Sequence, residues 1–191
     1  MIVKKQVCYV ALLICLFVTG FSTCFAHDVQ KVAILPVFYS HNISMNKDVE
    51  SIIKTALVNK FHMPLSKIVP FYEIIPEAEV IASLPVQLKY KKNSKLDNNL
   101  LAEVGNEMNA DIVIAVEVTS FQDDSRINWD GDRIQETDLA MRIINYHRPS
   151  RTYTERKDHQ YYLGDDIQWG RPEYIADQMI DNLLNKIPNY R

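Results

Sequence analysis

Ala110-Asp111-Ile112-Val113-Ile114-Ala115-Val116-Glu117-Val118-Thr119-Ser120-Phe121 decides the fold class of this chain. The run is almost wholly apolar and rich in β-branched side chains. A strand with one wet face alternates apolar and polar residues, whereas an unbroken run suits a strand covered on both faces. The stretch therefore reads as the central strand of a helix-covered sheet. Lys31-Val32-Ala33-Ile34-Leu35-Pro36-Val37-Phe38-Tyr39 is a second run of the same kind. Pro36 lacks an amide donor, which predicts loosened pairing or a bulge within it.

Helical periodicity surrounds these two runs. Val49, Ile52, Ile53, Ala56, Leu57 and Phe61 share one face of a helix that Asn46 caps and Pro64 ends. Lys67 to Ile75 reads as a strand, and Pro70 inside it favours an edge position. Pro76-Glu77-Ala78-Glu79 opens a short helix that stops before Pro85. Asp97 caps a third helix with Leu100, Leu101, Val104 and Met108 inward, and Asn109 ends it.

Beyond Phe121 the pattern changes to hairpins. Asp130-Gly131 tolerates positive φ, so the central strand turns at Trp129 to Asp132 into an antiparallel strand, Arg133 to Tyr146. A second turn, His147 to Arg151, leads to the strand Thr152 to Leu163. Glu155, Arg156, Lys157 and Asp158 crowd that strand, and such charge resists edge-to-edge pairing. It belongs at the other edge. Arg171-Pro172-Glu173 opens a last helix, whose stripe runs Ile175, Ala176, Met179, Ile180, Leu183, Leu184, Ile187. With the strands numbered along the chain, helical crossovers make 1, 2 and 3 parallel and the hairpins make 4 antiparallel. The expected architecture is α/β in three layers: a mixed five-stranded sheet of order 2-1-3-4-5, strand 4 antiparallel, helices on both faces.

The N-terminus reads as a leader. Lys4 and Lys5 precede an apolar stretch from Val7 to Val18, and Thr23-Cys24-Phe25-Ala26 offers a cleavage point after Ala26. Residues 1–26 are thus expected to be a signal peptide and 27–191 a single domain, periplasmic or secreted. An uncleaved anchor and a lipid on Cys24 stay open as alternatives, although Phe21-Ser22-Thr23-Cys24 departs from the lipoprotein pattern. Cys8, Cys15 and Cys24 all lie in the leader, so the exported domain is expected to rely on its core, without disulfides or thiol chemistry. Removing Lys4 and Lys5 from 21 basic residues leaves 19 against 24 acidic ones. Mild acidity argues against nucleic acid as a partner, and no membrane insertion is expected beyond the leader.

The order of elements, with Val32 to Val37 and Leu101 to Val118, resembles bacterial envelope domains of the TolB N-terminal and CsgG-like type. A looser resemblance to short secreted Gram-negative proteins adds no function. The first resemblance implies a non-enzymatic envelope module that docks to other proteins, and none of that family's site residues maps here. Glu117 departs from it, standing where those families carry glycine. A carboxylate in so apolar a strand is expected near its exit end or paired with a cation such as Arg142.

No catalytic constellation stands out. Gly-x-Ser-x-Gly, phosphate-loop and dinucleotide patterns are absent, and no cofactor is expected. His27, His41, His62, His147 and His159 lack metal-type spacing. Asp123, Asp124, Asn128, Asp130 and Asp132 bunch around a hairpin and supply the alternative reading, a calcium- or magnesium-dependent binding protein or hydrolase. Taking Gly131 as a calcium-loop glycine places Arg126 first and Thr137 last, both unsuited to the role. The basic segment Lys89, Lys91, Lys92, Lys95 reads as a solvated loop. The favoured reading is a protein-binding module or a subunit of an envelope assembly, with self-association open. Its expected contact residues are Tyr161, Tyr162, Trp169 and Tyr174, because Tyr and Trp are the usual interface anchors.

Overall fold

The computed structural model describes residues 29–40, 43–62, 71–85 and 96–188. The leader, His27, His41, Pro64, Pro70 and the basic segment lie outside the described residues. Ten elements follow in order: β1 (Gln30–Ile34), β2 (Phe38–Tyr39), α1 (Lys47–Phe61), β3 (Tyr72–Ile74), α2 (Glu77–Ser83), α3 (Asn98–Glu107), β4 (Ile112–Ile127), β5 (Arg133–His147), β6 (Thr152–Gly164) and α4 (Pro172–Asn185). The sheet runs β3-β1-β4-β5-β6, with β2 also against β4. This is the expected order, with the first strand cut in two. Leu35 to Val37 leave the strand around Pro36, and the chain rejoins β4 as β2. β1 lies parallel to β3 and β4, and β5 antiparallel to both β4 and β6.

Each face of the sheet carries its own apolar cluster. Val32, Ile112, Ile114, Val116 and Val118 meet α1 through Val49, Ile53 and Leu57, and α4 through Ile175, Met179, Ile180 and Leu183. Ala33, Val113, Ala115, Ile144 and Tyr146 meet α2 through Val80 and α3 through Leu101 and Val104. Burying each such aliphatic is worth roughly 1.5–3 kcal/mol. Ile34 pairs with Ile114 in the β1–β4 register; Ile114 is fully buried, whereas Ile34 is only half-buried.

The helix ends follow the sequence. Asn46 accepts from the Asp48 amide and Asp97 from the Leu100 amide. Asn109 takes a left-handed φ of 50° just past α3, the conformation that stops helices. Asp111 fastens the start of β4: its carboxylate accepts from the Lys31 amide (3.0 Å) and from Arg148 Nη2 (2.9 Å).

Strand β4 has 16 residues and so spans roughly 50 Å. Its register shifts between Val118 and Ser120, where Thr119 bulges out and its hydroxyl donates to the Ala140 carbonyl. A bulge inserts one residue and reverses the phase of the strand. Val118 and Phe121 consequently pack on the same apolar cluster.

Candidate interaction surface

Beyond Arg142 the apolar cluster of the α2/α3 face ends, and the sheet continues as cross-strand polar rows. The first row holds Glu117. Its carboxylate accepts from Arg142 and, at 3.0 Å, from the Ser40 hydroxyl. Arg142 also reaches Glu155 at 3.3 Å, which in turn meets Lys157 at 3.1 Å. The half-buried carboxylate is thus paired with the cation that the sequence suggested. Although burial works against it, the bonds from Lys157 and Arg142 hold the Glu155 carboxyl below its usual range.

The second row is Ser120, Asp138 and His159. Asp138 accepts from the Ser120 hydroxyl at 3.1 Å and contacts His159 Nε2 through its other oxygen. Hydrolytic triads need the imidazole between hydroxyl and carboxylate, so that it can take the proton. Here the carboxylate sits between, and that chemistry has no path. The third row joins Arg126, Glu136 and Tyr161, with 3.6 Å for the ion pair and 3.1 Å for the phenol.

The acidic hairpin disperses. Asp123 lies on the α4 side, where it accepts from Gln135. Asp124, its neighbour in an extended strand, points to the other face. Asn128 spends its side-chain oxygen on the turn, accepting from the amides of Asp130 (3.0 Å) and Asp132 (2.8 Å). Among the described residues no three His, Cys, Asp or Glu side chains converge to hold a metal. Burial raises the Asp123 carboxyl above the usual range, against the effect of its hydrogen-bonding neighbours. It lines a cleft of about 650 Å³ with Asp48, Arg133, Arg171 and Glu173, in which charges of both signs alternate.

The four expected contact residues separate. Tyr161 and Tyr162, consecutive in β6, point to opposite faces, because side chains alternate along a strand. The two therefore cannot both belong to one contact face with Trp169. Tyr161 is 56% exposed. Tyr162 packs against the core, donates its hydroxyl to the Asp166 carbonyl at 2.7 Å, and presses its ring on Gly170, where an added Cβ would collide with it. It is a pillar under the turn before α4. Trp169 and Tyr174 do meet, edge to face at 4.9 Å. Reasoning from strand ends overlooked a further group. Ile127, Trp129 and Leu163 are more than half exposed at the same end of the sheet. Trp129 is part of the turn that the Asp-Gly pair marks, and a turn tip has no core to enter.

No family model matches the chain, and no curated protein does. Among solved structures, the fold is similar to the hypothetical protein CT253 from Chlamydia trachomatis, at 12% identity and a TM-score of 0.45 over 83% of this chain and 95% of that one. It is similar to lipoprotein GNA1162 from Neisseria meningitidis, at 12% identity and a TM-score of 0.45 over 82% and 99%. It is also similar to the PelC dodecamer from Paraburkholderia phytofirmans, at 13% identity and a TM-score of 0.44 over 84% and 90%. Among the described residues no helix is long and apolar enough to cross a membrane.

Proposed function

We propose that the chain is a non-enzymatic protein-binding module of the bacterial cell envelope, a subunit of an assembly exported by the leader in residues 1–26. One observation carries this. Ile127, Trp129, Tyr161, Leu163 and Trp169 are exposed around the end of the sheet that holds the β4–β5 turn, on its two faces and its tip, while among the described residues the other large exposed apolar side chains are Val58 and Ile81. Exposed aromatic and aliphatic groups concentrated in one place mark contact surfaces. The polar rows beside them are closed by their own hydrogen bonds and offer no nucleophile paired with a base. The inner-strand run Val32 to Val37 and the order of elements support an arrangement of the TolB N-terminal and CsgG-like type.

A photo-crosslinking side chain placed at position 161 or 163 in cells should give a discrete protein adduct, and one at position 58 or 81 should not. The double change Tyr161→Ala and Leu163→Ser should abolish co-purification while leaving thermal unfolding unchanged. Tyr162 is unsuitable for this test, because its loss would disturb the fold. Equal adducts at all four positions, or a rise in Tm with millimolar calcium or magnesium and no adduct, would overturn the reading.

A further inference from the structure

The cleft beside α4 holds opposite charges that do not meet. Asp48, Asp123 and Glu173 line it together with Arg133 and Arg171. Among the described residues no ion pair joins any two of these five. Arg133 gives its Nε to the neutral Ser125 hydroxyl at 2.7 Å, and Glu173 accepts from Asn46 Nδ2 at 3.1 Å. Four elements carry the charges: α1 holds Asp48, β4 Asp123, β5 Arg133, and the start of α4 Arg171 and Glu173. Groups fixed apart on a packed scaffold can be bridged by a ligand of both signs at little cost in ordering the protein.

Two places in the cleft lack partners. Gln135 is only 7% exposed. Its amide nitrogen donates to Asp123 and Thr137, and its oxygen meets no donor among the described residues. An acceptor on so buried a side chain ordinarily has one. The open oxygen belongs to the same amide that bonds Asp123, so it lies next to that carboxylate. Burial raises the Asp123 carboxyl, and the Glu173 charge adds to this, the condition of a carboxylate short of cations. An ammonium group would give a proton donor to the one and a positive charge to the other.

The second place is the beginning of α4. Arg171, its N-cap residue, makes no side-chain capping bond, and Pro172 has no amide to offer. The Glu173 and Tyr174 amides therefore stand open at the positive end of a 14-residue helix. With the guanidinium groups of Arg171 and Arg133 they suit a carboxylate. Ile167 and Pro172 add apolar wall, and the volume of about 650 Å³ falls within the roughly 300–1,000 Å³ of small-molecule sites. Three carboxylates against two guanidinium groups leave one negative charge over, which favours a ligand with a further cation.

We propose that this cleft binds the zwitterionic head of an amino acid or short peptide, its ammonium on Asp123 and the Gln135 oxygen and its carboxylate on Arg171 and Arg133, with a preference for basic side chains. Such a ligand would bind whether or not the exposed end of the sheet docks to protein.

Isothermal titration calorimetry tests it, on the protein expressed with its own leader and purified as the cell processes it. L-alanyl-L-alanine should bind with a Kd below about 1 mM, and N-acetylation or C-terminal amidation should each weaken it at least about 10-fold. L-alanyl-L-lysine should bind more tightly than L-alanyl-L-alanine, and L-alanyl-L-glutamate more weakly. Asp123→Asn should weaken L-alanyl-L-alanine about 10-fold at unchanged Tm, and N-acetylation should then cost almost nothing further. Arg171→Gln should reduce the cost of amidation in the same way. Free L-alanine binding as tightly as the dipeptide assigns the cleft to free amino acids; a dipeptide at least about 10-fold tighter assigns it to peptide ends. No heat from any of these probes at about 10 mM, or binding that both blocked forms and both substitutions leave unchanged, overturns the proposal. Neither result touches the adducts expected at positions 161 and 163, whose side chains stand on the other face of the sheet.

Discussion

The two ends of strand β4 obey different rules. From Ile112 to Val116 every residue is buried, and two helical layers press on the strand. From Gln122 to Ile127 every residue is exposed, and order comes from backbone pairing with β5 and from polar rows across the strands. One secondary-structure element thus has two regimes: apolar burial at one end supplies stability, and at the other the side chains stay unburied, where the proposed contact surface lies. The Thr119 bulge marks the change and keeps Phe121 on the side where Val118 points.

Substitutions that treat the two ends alike should sharpen this contrast. The largest effect is expected from Ile114→Asp, which puts an unpaired charge inside the α1/α4 cluster and should leave no cooperatively melting protein. Asp124→Lys, a greater change of charge on the same strand, should melt as wild type does. Next comes Arg142→Ala, which strands Glu117 at 17% exposure and should cost about 2–3 kcal/mol by urea unfolding. Its distal counterpart, Arg126→Ala, removes an ion pair whose arginine is 58% exposed and should cost under about 0.5 kcal/mol. Equal costs would break the comparison.

Gly170→Ala follows, since its methyl would collide with the Tyr162 ring; overpacking of this kind costs about 1–3 kcal/mol. In a Tyr162→Ala background the same change should cost less than in wild type, which differential scanning calorimetry would show. A smaller, pH-dependent effect is expected at His147. Burial holds its imidazole below the ordinary range, although Asp111 pulls the other way. The unfolded chain takes up this proton near the ordinary imidazole value of about 6.5, and the folded chain only below that. Stability is therefore lost as pH falls from about 6.5 toward the folded value. His147→Gln should flatten that part of the profile, and an identical slope in the variant would contradict the assignment. The smallest effect on stability belongs to Trp129→Ala, within about 0.5 kcal/mol of wild type, because its indole is fully exposed.

The clad half was legible in the sequence because burial on both faces leaves its own signature. Ile112 to Val116 could not alternate, Pro36 had to interrupt a strand, and Asn46 and Asp97 announced their helices. The other half was legible only as strands and turns. A one-residue bulge at Thr119 changes which face every later side chain of β4 takes, and nothing in the order of residues marks it. Arg142 could be proposed for Glu117 because one orphan carboxylate needs one cation. The Ser120–Asp138–His159 row needed the register of three strands. Tyr161 and Tyr162 looked like one patch because adjacency in sequence suggests adjacency in space, which strand alternation reverses. The acidic hairpin misled in a similar way, for Asn128 and its neighbours build the turn. Trp129 was the residue within reach: a turn assignment already places it at the tip.

Amide hydrogen exchange along β4, in the chain alone, tests the division most directly. The amides of Ile112 to Val118 should exchange only through global unfolding, and those of Gln122 to Ile127 at least about 100-fold faster through local opening. Uniform protection from Ile112 to Ile127, collapsing in a single transition with denaturant, would contradict it.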